Sequence, residues 1–403
     1  MKILAIETSC DETSIAIIEK LENPENKRLF KVLTHNTISQ IDIHTEYGGV
    51  YPALARREHE KNLVPLLHKS LTNAGLLRDA KQDILAKNLS GEAEEFLERY
   101  PVLKENLEDF FSKFAVSKEI DAIAITSGPG LPPALWVGVN FAKVLSLYLG
   151  NVPLYPVNHM EGHIIGGIAS AAGENIEIPK LDYPILSFLI SGGHTEFILS
   201  QKENDYTKIG ETLDDAVGES YDKVARLLDL LYPGGPKIGE SARLGREQLL
   251  TNPNFLKDIP KRFPRPLIHD HTLNFSFSGL KTHVLYLVNA LKEKNGGELT
   301  GDQKMQIATE FEETVKEVFV KKLEKAILEN NVQSVVVGGG VASNNYLREN
   351  FERLAENLNV KLYISNKELS TDNALMIALT TAQHIESGVA PTKDFQALGS
   401  LSF

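Results

Sequence analysis

Two short runs near the start of the chain, KILAIE and SIAIIEK, are apolar enough for buried strands, and the polar TSCDET joins them. Much later YPILSFLI and TEFILS repeat the arrangement around SGGH. Apolar runs bounded by polar turn residues predict strand, turn, strand in both places. The two units share shape more than letters, and they are expected to be equivalent parts of two related lobes. Between them, DAIAITSGPGLPPALWVGVNFAKVLSLYLG reads as a buried strand, a Gly/Pro turn and a long apolar helix. Its later counterpart is SVVVGGGVASNNYLRENFERLAENL: strand, triple glycine, amphipathic helix. Strands alternating with helices predict an α/β fold. Residues 75–118 break the pattern, being rich in charge with apolar residues at helical spacing. They predict a helical excursion, a solvated decoration rather than a partner-binding arm. The last helix, TDNALMIALTTAQHIESG, is expected to cross back to the first lobe.

At 403 residues the chain is long for one core, and two domains are expected. Hydrophobic residues make up 42% and charged residues 24%, ordinary for a globular protein. The net charge of -12 argues against non-specific nucleic-acid binding by the whole surface but leaves room for a local basic patch. A single cysteine, Cys10, cannot build a disulfide framework and fits a reducing cytoplasm. The opening residues lack the pattern of a signal peptide. The most apolar later run contains Asn140 and Lys143 and reads as a buried helix, so no membrane association is expected.

The stretch VNHMEGHIIG carries the first candidate chemistry. If 158–170 is helical, His159 and His163 differ by about 40° around the axis and can share one metal. Zinc proteases of the H-E-x-x-H type place their general base directly after the first histidine. Here that position is Met160, and Glu161 falls roughly 200° around from His159, on the far side. The protease reading therefore lacks its base. Two imidazoles leave room for a carboxylate and open positions, as in iron or zinc catalytic sites. A structural pair that caps or packs the helix is the plainer alternative.

Three glycine-rich turns are candidate phosphate or nucleotide contacts. Ser191, Gly192 and Gly193 lie between strands, where backbone N–H groups can approach an oxyanion, although most such turns are only hairpins. The run VVVGGGVASNN places three glycines between strand and helix, and it is not the dinucleotide pattern G-x-G-x-x-G. Asn344 there can meet a ribose or base, or cap the helix. YPGGPKIGE is a further glycine pair. Asp372, before the last helix, reads by default as a cap or first-turn acid.

Taken in order, MKILAIETSCDETSIAII, HMEGHI, SGGHTEF, YDKVA with YPGGP, GGGVASN and STDNALMIA span nearly the whole chain. In these motifs the sequence resembles the TsaD family of tRNA threonylcarbamoyladenosine transferases, formerly called glycoproteases. The segment at about 78–116 is longer than the family's usual connection, and the resemblance does not extend over it. The resemblance implies a two-lobed actin/Hsp70/sugar-kinase fold with a nucleotide cleft between lobes. The first lobe would be 1–157 completed by about 373–403, and the second, 158–372, would carry the metal and nucleotide sites. It implies transfer of threonylcarbamoyl from threonylcarbamoyl-AMP to N6 of the adenosine 3′ of the anticodon, in tRNAs reading codons that begin with A. It implies one divalent metal, iron in preference to zinc, on His159, His163 and Asp372. It implies substrate contacts at Leu189, Ile190, Ser191, Gly192, Gly193, Asp222, Gly235 and Asn344. Where many members carry a ribose-binding acid this chain has Gly239, so the contact is either lost or supplied by Glu240.

Asp11 and Glu12, in the first polar turn, are candidates to orient the adenine amine or take its proton; a charged hairpin tip is the alternative. Cys10 reads as a packed residue with no histidine base beside it in sequence. Lys257, Lys261, Arg262 and Arg265, with Arg56, Arg57 and Lys61, are candidate phosphate contacts for tRNA. Expected partners are a TsaB-like homologue and a TsaE-like ATPase. The competing classes are an ATPase or sugar kinase of the same fold, a non-catalytic scaffold that would have lost the metal site, and the metalloprotease disfavoured above.

Overall fold

The computed structural model describes residues 1–22, 27–79, 91–365 and 367–403. In chain order the first elements are β1 (Lys2–Glu7), β2 (Glu12–Leu21), β3 (Arg28–Ser39), α1 (Ile41–Thr45), α2 (Pro52–Asn73), β4 (Leu77–Asp79), α3 (Gly91–Leu97), α4 (Pro101–Lys113) and β5 (Phe114–Val116). Then come β6 (Ala122–Gly128), α5 (Pro132–Tyr148), β7 (Leu154–Asn158), α6 (His159–Ile168), β8 (Ser170–Ala172) and β9 (Asn175–Ile178). The second half begins with β10 (Ile185–Ile190), β11 (Thr195–Ser200), β12 (Thr207–Glu211), α7 (Val217–Leu227), α8 (Gly234–Thr251) and α9 (Ser278–Asn295). It ends with α10 (Gly301–Glu329), β13 (Ser334–Gly338), α11 (Asn345–Leu358), β14 (Lys361–Ile364), α12 (Lys367–Ser370) and α13 (Ala374–Glu386).

Two compact units result. The first comprises Met1–His44, Val50–Lys180 and Thr371–Ser402; the second comprises Thr45–Gly49, Leu181–Ser370 and Phe403. The first holds a sheet ordered β7-β6-β1-β2-β3-β9-β8, and the second a sheet ordered β12-β11-β10-β13-β14. In each, a meander of three antiparallel strands is extended beyond its first strand by two parallel ones. The shared order third, second, first, fourth, fifth is the duplicated architecture of the actin/Hsp70/sugar-kinase class. The strand pairs read from KILAIE/SIAIIEK and YPILSFLI/TEFILS are the first two strands of the two sheets.

The boundary falls at 180/181, not at 157/158, and this corrects the lobe assignment of the metal residues. β7 runs directly into α6, and β9 pairs with β3, which ties this stretch to the first sheet. His159, His163 and Asp372 all belong to the first unit.

The helical excursion is also more than a decoration. Leu97, Leu103, Leu107, Phe110 and Phe111 are buried in one cluster with Leu63 and Leu67 of α2 and Leu135 and Val139 of α5. Tyr100 receives Arg56 on its ring face at 5.0 Å. Residues 80–90 lie outside the described residues. The apolar spacing of LKENLEDFF marked a helix with one buried stripe, and its outer charges concealed how much that stripe covers.

Because α4 completes a core, Leu107→Ala should destabilise the first unit by about 2–5 kcal/mol. Urea unfolding followed through Trp136, the chain's one tryptophan, would read this. A change below about 0.5 kcal/mol, normal for a surface site, would return the segment to the solvent.

Candidate functional site

The first unit gathers the metal candidates by packing two helices. Asn158 caps α6, its side chain accepting from the Met160 amide at 2.9 Å. That starts the helix at His159 and sets His159 and His163 on one face, with ring centroids 4.7 Å apart. Asp372 is not the cap of α13; Asn373 is, accepting from the Met376 amide at 3.0 Å. The Asp372 carboxylate is left free to turn toward the histidines. Its Oδ1 lies 3.3 Å from His159 Nε2 and 3.2 Å from His163 Nε2. One ligand atom from each residue lies within 4.8 Å of the others.

α6 and α13 approach closely because position 162 is glycine. A Cβ there would stand 3.0 Å from Ile377 Cδ1 and 3.1 Å from Met376 Cγ. On the opposite side Glu161 Oε1 accepts from His384 Nε2 at 2.8 Å. The acid that a protease would need is thus occupied in the helix contact, away from the histidine face.

The donor set fits a metal. His163 is 1% exposed, yet neither ring nitrogen has a hydrogen-bond partner among the described residues; Nε2 is near Asp372 without hydrogen-bond geometry. Buried polar atoms are seldom left so. His159 has its outer nitrogen fixed instead. Nδ1 lies 3.1 Å from Glu7 Oε2 and 3.3 Å from Ser9 Oγ. An N–H donated to that carboxylate leaves Nε2 for a metal, the usual support for a ligating histidine. Glu7 is fully buried and also accepts from Thr126 Oγ1 and the Ser9 amide, both at 2.5 Å. The sequence reading missed Glu7; an acid ending the buried strand KILAIE was the available sign.

The charges are strongly coupled. Burial by itself lowers the pKa of His159, but Asp372 and Glu7 outweigh it and raise the imidazole well above its usual value. Burial likewise raises Asp372, and His159 and His163 outweigh that, holding its carboxyl well below the usual range. Nearby, Glu12 is pushed well up by burial, then by Asp11 and Asp372. Cys10 is pushed well up by burial and the same acids, which keeps it a thiol and not a nucleophile.

The second unit holds the glycine turns. The β10–β11 turn closes with Ser191 N donating to His194 O at 2.8 Å. Ser191 Oγ accepts from the Gly193 and His194 amides at 3.3 and 3.1 Å, so an arriving oxyanion would replace that hydroxyl as acceptor. Gly192 and Gly193 are exposed, and among the described residues nothing lies within 4 Å of where a Cβ would be. Leu189 and Ile190 have side chains fully inside the core, which leaves only their backbone for a ligand. Gly339 has φ 90°, and a Cβ would meet Ile190 O at 2.5 Å, so only glycine serves there.

Asp222 Oδ1 accepts from the Gly234 amide at 2.7 Å and so braces the YPGGP turn, while the space above Gly235 is open. Asn344 both caps α11, accepting from Leu347 N at 3.1 Å, and donates through Nδ2 to Glu312 Oε1 at 2.7 Å. Glu312, fully buried and held by Arg246 at 2.6 Å, is the second acid the sequence reading missed. It lies on the buried stripe of α10 with Ala308 and Val315. Glu240 is exposed and paired with Arg243 at 2.8 and 2.9 Å, whereas Gly239 faces Asn344 and Glu312. The structure therefore does not bring Glu240 to the place of the missing acid. Among the basic candidates, Arg265 is an internal tie to Glu310 and Glu317, with a side chain 6% exposed. Lys257, Lys261 and Arg262 stay on the surface.

A duplicated α/β fold of the actin/Hsp70/sugar-kinase class, with a histidine–histidine–aspartate cluster in one unit and glycine turns in the other, defines the class. Comparison with known proteins gives the family. The model of "TsaD: tRNA N6-adenosine threonylcarbamoyltransferase" matches residues 31–85 and 101–379. A tRNA N6-adenosine threonylcarbamoyltransferase of Thermosipho africanus is 37% identical over 401 residues, covering 100% of this chain and 99% of that protein. One of Persephonella marina is 37% identical over 405 residues, covering 100% and 95%. Among solved structures, full-length HypF in a phosphate- and nucleotide-bound form aligns with a TM-score of 0.48 and 13% identity, over 97% of this chain and 47% of that one. The chain belongs to the TsaD family of tRNA N6-adenosine threonylcarbamoyltransferases. It is a tRNA-modifying transferase. Of the segment 78–116, the family model matches 78–85 and 101–116, so the resemblance covers more of it than the sequence reading allowed.

Two outcomes follow for the metal cluster. Without metal, the raised pKa of His159 favours the protonated ring, and binding must expel that proton. Affinity should therefore rise with pH until the raised imidazole pKa is passed, with about one proton released per metal near pH 7. Calorimetry in buffers of different ionisation enthalpy would measure this; zero release would contradict the charge assignment. Gly162→Val should spread α6 from α13 and weaken metal binding about 10–100-fold, the range for losing groups that orient ligands. Unchanged affinity in a titration would sever the helix contact from the site.

Proposed function

We propose that the chain takes threonylcarbamoyl-AMP as donor and modifies N6 of the adenosine 3′ of the anticodon in tRNAs reading codons that begin with A, releasing AMP. The cluster of His159, His163 and Asp372, with both nitrogens of His163 left without hydrogen bonds, carries this reading. These three residues would hold one divalent metal, iron in preference to zinc on the family resemblance. When bound it supplies Lewis acidity and neutralises charge on the leaving phosphate.

The protein's own residues do the rest. The adenine amine is a weak nucleophile because its lone pair is delocalised into the ring, so the acceptor needs orientation and the donor needs activation. Glu7 holds the His159 ring in place through Nδ1. The amides around Ser191, Gly192 and Gly193 offer donors to a phosphate or developing oxyanion. Asp222 keeps Gly235 in an open turn, and Asn344, fixed by Glu312, presents its remaining amide hydrogen to the nucleoside. Glu240 has no role in the site. Asp11 and Glu12 receive or orient the amine proton. Glu12, its pKa raised by burial and then by Asp11 and Asp372, keeps a proton more readily than an ordinary carboxyl.

Lys257, Lys261 and Arg262 form a tRNA-facing patch. An acidic chain of this kind works with partners that add positive field, a TsaB-like homologue and a TsaE-like ATPase, in the cytoplasm. Among the described residues no helix is long and apolar enough to cross a membrane.

Nucleoside mass spectrometry tests the reading. Protein with those partners, threonylcarbamoyl-AMP and unmodified tRNA should yield threonylcarbamoyladenosine. His163→Ala should lose product by about 10²-fold or more, on the scale of losing an electrostatic stabiliser of the transition state. Wild-type yield from His163→Ala would refute the metal-dependent mechanism. Lys261→Ala should weaken tRNA binding at every sequence and reduce its salt slope by about one. An unchanged slope would move the patch elsewhere.

A further inference from the structure

A buried polar chain lies beneath the Asp11–Glu12 turn, and no step above uses it. His44, Gln40 and His59 are 0%, 1% and 0% exposed. An apolar filling would be simpler there, since buried polar groups stabilise a structure only when every member is satisfied. Here they are. The Cys10 carbonyl can only accept, so at 3.0 Å it draws the proton of His59 to Nε2. His59 Nδ1 then accepts from the Thr13 hydroxyl at 2.8 Å and, more loosely, from Gln40 Nε2 at 3.4 Å. Gln40 Nε2 also reaches the Ala55 carbonyl at 3.4 Å, and its Oε1 accepts from His44 Nε2 at 3.2 Å. His44 Nδ1 accepts from the Tyr51 amide at 3.3 Å. The main-chain N–H of Gln40 donates to the Asp11 carbonyl at 3.0 Å.

Three of these bonds, at Cys10 O, Asp11 O and Thr13 Oγ1, bracket the two carboxylates without touching either. We infer that His59, as the neutral Nε2–H tautomer, is a positioning residue that clamps the Asp11–Glu12 turn from the α2 side and sets the aim of its carboxylates. The inference rests on the proposed role of that turn. Burial lowers His59 to about 4, so the ring is neutral at physiological pH and can accept from Thr13 while donating to Cys10. Clamping serves turnover, not binding, because the ring's hydrogen bonds go to Cys10, Thr13 and Gln40, none of them a metal candidate.

The test uses the full chain with its partners and compares His59→Phe, His59→Gln and Glu12→Gln. In His59→Phe, kcat should fall at least about tenfold, with KM for tRNA and donor within about twofold and metal content unchanged. His59→Gln should recover most of that loss, because its amide N–H can still reach the Cys10 carbonyl. Equal kcat for Phe and Gln variants, a loss confined to KM, or kcat of His59→Phe within twofold of wild type would each overturn the clamp. If His59→Phe does not fold, nitrogen NMR of the wild-type imidazole decides. The Nε2–H tautomer supports the clamp, and Nδ1–H or imidazolium refutes it. Full kcat in Glu12→Gln would instead remove the underlying reading of the turn, and is thereby distinguished from failure of the clamp.

Discussion

The contact between α6 and α13 is the constraint on which the chemistry of the first unit depends. The chain supplies two histidines from one helix and one aspartate more than two hundred residues later. Nothing local brings them together. A glycine at 162 lets the helices close, Asn158 and Asn373 fix where each begins, and the Glu161–His384 pair locks their outer side. Placing the cap at Asn373 and not at Asp372 is what releases the carboxylate for the site. A shift of one residue in either cap would turn a ligand off the shared face, since each residue moves about 100° around the axis.

Around that contact, opposite charges are concentrated in a place with little water. Glu7 and Asp372 flank His159 from its two nitrogens and favour its protonated form. A divalent cation held by the three residues would displace that proton and give the buried His163 ring a partner at one nitrogen. Burial comes first at Glu12 and Cys10, and Asp11 and Asp372 add to it. Together they raise the Glu12 carboxyl and keep Cys10 a thiol.

Much of this was legible in the sequence, because it follows from local periodicity. The paired strand–turn–strand units, the glycine turns after buried strands and the i, i+4 histidines each depend on a few adjacent residues. What was not legible depends on distant ones. Glu7 and Glu312 are acids inside apolar patterns, and only the tertiary structure shows that each is buried against a partner. The lobe boundary was misplaced because β8 and β9 are short and weakly patterned, and only the pairing of β9 to β3 and of β8 to β9 assigns them. Arg265 looked like a surface cation beside Lys261 and Arg262, yet Glu310 and Glu317 draw it inward. The charges on α3 and α4 concealed a stripe that completes the first core.

The central claim is that His159, His163 and Asp372 form one metal centre. X-ray absorption spectroscopy of the full-length protein loaded with a single equivalent of iron tests it most directly. The account predicts a first shell of nitrogen and oxygen donors only, with the outer-shell scattering of two imidazoles, and loss of one imidazole in His159→Ala. Sulfur in the first shell, or a spectrum with no imidazole scattering, would contradict it.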